Sequence, residues 1–302
     1  MNRNLADSAF VGELTSGSDP KFWARVSEAL IANHFREKEF GARDKRGAGP
    51  DFLVMNGTKR VWIEVVCPEP MGIPEEWLNP LPGNRVGFPH EKILLRWMSA
   101  IKAKAEALVG SDDGKQVGYA NSGLVGADDA YVIAVNGCQL RGGLFPALIG
   151  ISQFPFAAEA VFPIGPLQLR VDRETLQVID RGHQHRPFVL NKNGAEVPAY
   201  TFLDPRFNQI SAIWAVDLDG GSAIGNSEPM NEKLNFERPR FHPSTGSYGA
   251  ARGSQVRFEF LVRKTQFRNL ARDLLRRRSE GRSRFLSRRC PTTAPPRQNQ
   301  RN

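Results

Sequence analysis

Residues 48–70 read AGPDFLVMNGTKRVWIEVVCPEP, two apolar runs on either side of Asn56-Gly57. Asn-Gly between strand-like runs is a strong short-range signal for a β-hairpin. It commits this part of the chain to an antiparallel strand pair. Parity then restricts where the two acids of the segment, Asp51 and Glu64, can lie. If Asn56-Gly57 forms the loop, Met55 pairs with Thr58 and Asp51 falls opposite Trp62, on the face that also carries Glu64. If Gly57-Thr58 forms the loop, Asp51 falls directly opposite Glu64. Both registers place the two carboxylates on one face, whereas a three-residue loop would separate them.

The second strand is apolar on both sides. In RVWIEVV, Val61, Ile63 and Val65 share one face and Trp62, Glu64 and Val66 the other, the pattern of a central strand covered on both faces. A carboxylate buried there without compensation costs on the order of several kcal/mol. Two kinds of cation answer that cost. One is a divalent metal, Mg²⁺ or Mn²⁺, shared by Asp51 and Glu64, since Mg²⁺ takes one or two carboxylates together with water and phosphate oxygens. The other is a structural ion pair with Arg43, Arg46 or Arg96.

Helical periodicity brackets the hairpin. DPKFWARVSEALIANHF, residues 19–35, reads as a helix with Asp19 as cap and Pro20 at the first helical position. HEKILLRWMSAIKAKAEALV, residues 90–109, is the clearest helix of the chain. At 100° per residue Leu94, Trp97, Ile101 and Leu108 make one apolar stripe, and Lys104 falls in its middle while Lys102 points to solvent. A lysine on an apolar stripe either extends its stem along the core with its amine in water or reaches a buried partner. An ammonium beside the carboxylates would help position a nucleophile and stabilise developing charge.

The remaining chain is organised around these elements. Residues 1–18 read as a flexible start, residues 67–90 as a proline- and glycine-rich insertion, and residues 110–129 as a loop that ends in solvated Asp128 and Asp129. AYVIAVNG, residues 130–137, is a short buried strand, and further strands are expected at 167–171 and 210–218, with a turn at Asn193-Gly194. An α/β layered domain over 19–218 follows. Residues 219–260 form a loop-rich segment and residues 261–302 an Arg-rich, poorly ordered tail.

That tail sets the charge. The net charge is +9, but residues 261–302 alone hold 13 Lys or Arg against 2 acids, leaving the body at −2. A terminus of this kind suits phosphate backbones, so nucleic acid is the expected partner. The most apolar long window, residues 146–165, contains several prolines, a Gln and a Glu and does not read as a membrane span. No signal-peptide pattern begins the chain. Cys67, Cys138 and Cys290 have no metal or disulfide spacing, which fits a reducing cytoplasmic setting. His183 and His185, in GHQH beside Pro187, read as part of a turn rather than as metal ligands, and His90 lines the start of its helix. There is no phosphate-binding glycine loop, GxSxG elbow or zinc pattern.

GPDF, a hairpin and then WIEVV, set between two helices, together resemble the PD-(D/E)XK nuclease superfamily. The resemblance covers about residues 20–136 and implies a restriction-endonuclease-like α/β core with a mixed sheet, ordered helix, three-strand meander, helix, strand. Pro50 and Asp51 match the family's PD and Glu64 its second acid. Val66 stands where the family's lysine is expected. Some branches carry that lysine on the following helix, and Lys104 is the position here that fits such a migration. By the same resemblance Glu28 corresponds to an acid on the first core helix, and the Val65 carbonyl to a further ligand of Mg²⁺ or Mn²⁺ beside Asp51 and Glu64. Arg96 would contact substrate phosphate. The implied activity is phosphodiester hydrolysis of DNA or RNA. The alternative is an inactive relative that binds nucleic acid or another partner through its basic tail.

Overall fold

The computed structural model describes residues 8–34, 40–41, 49–111, 114–143, 147–219 and 259–263. Its helices are α1 (Ser8–Leu14), α2 (Asp19–His34), α3 (Glu75–Leu78), α4 (His90–Val109) and α5 (Phe156–Val161). Its strands are β1 (Phe40–Gly41), β2 (Phe52–Asn56), β3 (Lys59–Val66), β4 (Ala130–Asn136), β5 (Ile164–Val171), β6 (Val178–His185), β7 (Phe188–Leu190), β8 (Glu196–Pro198), β9 (Ile210–Val216) and β10 (Glu259–Arg263). The fold is α/β with a mixed six-stranded sheet in the order β1-β2-β3-β4-β9-β10. β1, β2 and β3 run as an antiparallel meander, β4 and β9 continue parallel to β3, and β10 closes the far edge antiparallel to β9.

The central strands are apolar on both faces because both faces are covered. Val61, Ile63 and Val65 of β3, Val132 and Ala134 of β4 and Trp214 of β9 pack with Ile31 of α2. Trp62, Tyr131, Ile133, Val135 and Ile213 face the other way and pack with Ile93, Leu94, Trp97 and Ile101 of α4 and Phe156 of α5. Strand alternation alone thus sorts one run of residues into two cores.

Hairpin register follows the second of the two alternatives. Asn56 pairs with Lys59 and Phe52 with Ile63, so Gly57 and Thr58 form the loop. The physical reason is backbone sign. Gly57 adopts φ +62°, and a type II′ turn takes glycine at its first loop position. Asn56 therefore stays in the strand instead of opening the turn.

Several expectations are corrected. The start of the chain contains α1, held to α2 by a 2.6 Å ion pair from Arg25 to Glu13 and by the Arg25 guanidinium over the Phe10 ring. The proline-rich insertion contains α3, which buries Trp77 and directs its indole Nε1 to the Leu140 carbonyl at 3.0 Å. GHQH lies in β6 rather than in a turn, with His183 opposite Leu167 and His185 opposite Ile164. The expected boundary between residues 219–260 and 261–302 falls inside β10. Apart from Asp219 and β10, both segments, with Arg43, Arg46 and Cys290, lie outside the described residues. Among the described residues no helix is long and apolar enough to cross a membrane.

Candidate functional site

β2 begins at Phe52. One residue before it, continuing the register, Asp51 stands opposite Glu64. The ladder stops there, and Pro50 has no N–H with which to extend it. Asp51 takes over as acceptor: its Oδ2 receives the Val65 N–H at 2.7 Å. A strand residue directs its N–H and C=O to the same neighbour, so the Val65 carbonyl lies along this same edge of β3. Asp51 is half-buried.

Glu64 points from β3 toward α4 and is 4 % exposed. Lys104 Nζ donates to its Oε1 at 2.8 Å. The predicted central position of Lys104 on the apolar stripe is thus where α4 crosses β3, whereas Lys102 is exposed and reaches Glu106 across 3.7 Å. Burial acts to lower the Lys104 pKa, but the negative charges of Glu64 and Asp51 raise it above the ordinary lysine value. Lys104 is therefore an ammonium at neutral pH. It can neutralise charge or donate a hydrogen bond, and it cannot serve as a general base. The helix is fixed at this point by Tyr131 of β4, whose buried hydroxyl donates to the Lys104 carbonyl at 3.2 Å. Burial, with Glu64, Tyr119 and Asp51 nearby, keeps the Tyr131 phenol protonated far above its usual range.

The C-terminal end of α4 is fixed as well. The amides of Tyr119 and Ala120 donate to the carbonyls of Ala107 and Leu108 at 3.1 and 2.9 Å, and the Asn121 amide to that of Val109 at 2.8 Å. These bonds satisfy carbonyls that a helix end leaves without intrahelical partners. They also place Tyr119 beside the Lys104 turn.

The other two predicted residues lie apart from this constellation. Glu28 is on α2, the helix that covers the opposite face of the sheet, and pairs with Arg25 at 2.7 Å. Arg96 directs its Nε to the Glu69 carbonyl at 2.7 Å. Eight residues of helix separate it from Lys104, about 12 Å along the axis. Of the cations considered for Glu64, Lys104 bonds it and Arg96 does not; Arg43 and Arg46 lie outside the described residues.

Two buried polar clusters escaped the sequence reading. Asp129 does not end in solvent. Its carboxylate accepts from Trp62 Nε1 at 2.9 Å, from the Gly126 amide at 2.8 Å and from Arg60 at 2.9 Å. Burial opposes ionisation, but these donors outweigh it and hold Asp129 below its usual range. The second cluster centres on Glu159 of α5, which is completely buried. His90 Nε2 lies 2.6 Å from its Oε2 and Arg186 donates to the same oxygen at 2.8 Å. The amide of Ser152 donates to Oε1 at 2.9 Å and the hydroxyl of Ser152 bonds the same atom. Burial raises the Glu159 pKa, yet His90 and Ser152 bring the net shift below the ordinary value. The sequence offered one signal for it, a glutamate alone in FPFAAEAVF.

Asp51, Glu64 and the Val65 carbonyl form an all-oxygen donor set, the chemistry that Mg²⁺ and Mn²⁺ accept. Among the described residues no group of three or more His, Cys, Asp or Glu side chains converges. Comparison with protein-family models, with curated proteins and with solved structures finds no match to the chain.

Proposed function

We propose that this α/β protein is a divalent-cation-dependent nuclease of the PD-(D/E)XK kind. The observation that carries the reading is the Lys104 ammonium on the buried Glu64 carboxylate, with Asp51 opposite Glu64 across the hairpin. The order α2, meander, α4, β4 is compatible with the restriction-endonuclease-like core that the resemblance implies, and it supports the same reading. Asp51 and Glu64, with the Val65 carbonyl, would hold the cation. When bound, such a cation stabilises charge on a phosphoryl oxygen and lowers the pKa of water. Lys104 would donate to a phosphate oxygen or orient the attacking water, as a charged donor throughout. The core of this reading does not draw on Glu28, which pairs with Arg25, or on Arg96, whose Nε donates to the Glu69 carbonyl.

A second reading keeps the core and discards hydrolysis. Val66 occupies the usual lysine position, and Lys104 bonds Glu64 directly, so the pair also neutralises itself without a metal. The chain would then bind nucleic acid through its basic end.

Incubation of the full chain with linear and circular DNA and with RNA, in Mg²⁺ or Mn²⁺, separates the two. The nuclease reading expects cleavage that chelation abolishes and that Asp51→Ala and Glu64→Gln remove while circular dichroism remains unchanged. Salt-sensitive binding without cleavage, together with no calorimetric heat of Mg²⁺ or Mn²⁺ binding, would overturn it in favour of the second.

A further inference from the structure

Cys67 follows β3 directly, and Cys138 opens the 3₁₀ turn Cys138–Leu140 one residue after β4. β3 and β4 are parallel neighbours with Val66 opposite Val135. The fold therefore brings together two thiols that are 71 residues apart in sequence, with Sγ atoms 3.8 Å from one another. Both are free and buried. Each retains 9 % of its surface, an opening suited to a very small molecule.

The surroundings hold both cysteines in place. Asn136 donates to Ser27 at 2.8 Å and to the Leu218 carbonyl at 2.9 Å, and its Oδ1 accepts the amides of Leu218 and Cys138. The Gly137 amide donates to the Val216 carbonyl at 2.8 Å. On the other side the Gln139 amide directs Nε2 at Cys67 Sγ across 3.3 Å. Fixed backbones on adjacent strands keep the sulfurs in contact, so the second thiol is already in place when the first is oxidised. A covalent bond of about 2.05 Å requires the sulfurs to approach by roughly 1.8 Å. Two buried cysteines could serve merely as small apolar residues, but that role does not call for an amide donor on one sulfur or for mutual sulfur contact.

We propose that Cys67 and Cys138 are an oxidant-responsive dithiol whose co-reactant is a small peroxide. Cys67 sulfur attacks a peroxide oxygen; the O–O bond breaks, and the thiol proton leaves with the departing hydroxide as water. The resulting Cys67 sulfenic acid is attacked at sulfur by Cys138. The S–S bond forms, the S–O bond breaks, and the oxygen leaves as a second water with the Cys138 proton. Two thiols and one hydrogen peroxide give one disulfide and two waters, the peroxide being reduced. The linkage ties the C-terminal ends of β3 and β4. It is independent of the nuclease reading.

The test uses the reduced full chain at neutral pH, exposed to hydrogen peroxide, alkylated and digested without reductant. The expected product is a Cys67–Cys138 linked peptide in most chains, lighter by two hydrogens than the two reduced peptides. The same linkage is expected in Cys290→Ser. In Cys138→Ser a dimedone adduct should replace it at Cys67. Should Cys138→Ser fail to fold, the wild-type and Cys290→Ser digests still decide. Two thiols that remain fully alkylatable after a peroxide dose that oxidises glutathione would overturn the proposal. A disulfide from Cys290 to either cysteine in place of the internal link would do the same.

Discussion

Lys104 of α4 and Glu64 of β3 are bonded across 2.8 Å, forty residues apart in sequence. The Glu64 side chain is almost wholly buried and that of Lys104 is 27 % exposed. Removal of one partner differs sharply from removal of both. Lys104→Met strands a carboxylate between two layers and should lower stability by about 3 kcal/mol. Glu64→Gln costs less, because the lysine stem can swing its amine toward water. The double variant should recover most of the loss. Equilibrium urea unfolding of the four proteins measures this, and strictly additive losses would count against a coupled pair. The raised Lys104 pKa adds a pH signature. Its contribution is fully present below the unfolded lysine value of 10.5 and is lost as pH rises through the folded value.

Asp129 answers Trp62, Gly126 and Arg60 at once. Asp129→Ala leaves the indole N–H and the Gly126 amide without their acceptor and should cost about 2–3 kcal/mol. Asp129→Asn keeps one acceptor oxygen and should retain part of the stability. Thermal unfolding of both variants gives the comparison, with the Trp62 environment followed by near-UV circular dichroism.

Glu159 gives the fold an acid limit. Its folded pKa lies below the ordinary glutamate value of 4.5. The stabilisation it supplies is therefore complete above about pH 4.5 and is lost as pH falls through the lower, folded value. The groups that face it are His90, Ser152 and Arg186. Glu159→Gln should flatten this acid-side loss while lowering stability at neutral pH, because it removes the charge from His90 and Arg186. Stability measured from pH 3 to pH 7 on both proteins checks the slope. An unchanged acid limb in Glu159→Gln would assign acid sensitivity to other carboxylates.

Gly118 tests the seam that closes α4. A Cβ there would meet the Gly110 nitrogen and the Val109 carbonyl carbon at 2.3 Å, both backbone atoms. Gly118→Ala must open the bonds from Tyr119 and Ala120 to the helix end, and a loss of several kcal/mol follows the pattern of overpacked sites. Gly57→Ala is the contrasting control. Its φ of +62° is strained for alanine, but nothing lies within 4 Å of the added carbon, so a loss near 1 kcal/mol is expected. Denaturant midpoints of the two variants should differ accordingly.

Much of the site was legible in sequence because its logic is local. The alternation in RVWIEVV put Glu64 on a buried face, and the 3.6 period put Lys104 on the core stripe. The bounds of α4 match the segment read from periodicity, residue for residue. Loop choice was not settled, since NG and GT both permit two-residue turns, and only the pairing of Asn56 with Lys59 decides between them. The β5–β6 hairpin was half visible: LQLRV carries strand alternation, while VIDRGHQH carries glycine and histidine that read as a turn.

Sequence by itself determined α2, α4, the β2–β3 hairpin and β4, and which of their residues must be covered, because periodicity and turn chemistry act over a few neighbours. It also marked Glu64 as a buried carboxylate whose burial needs compensation. Which cation answers was a tertiary matter. Lys104 does so because α4 crosses β3 at that turn, whereas Arg96 of the same helix meets the Glu69 carbonyl instead. The Glu159 cluster and the Cys67–Cys138 contact are tertiary in the same sense. Their partners lie 69 and 71 residues apart, and no local pattern encodes a meeting that the stacking of layers alone brings about.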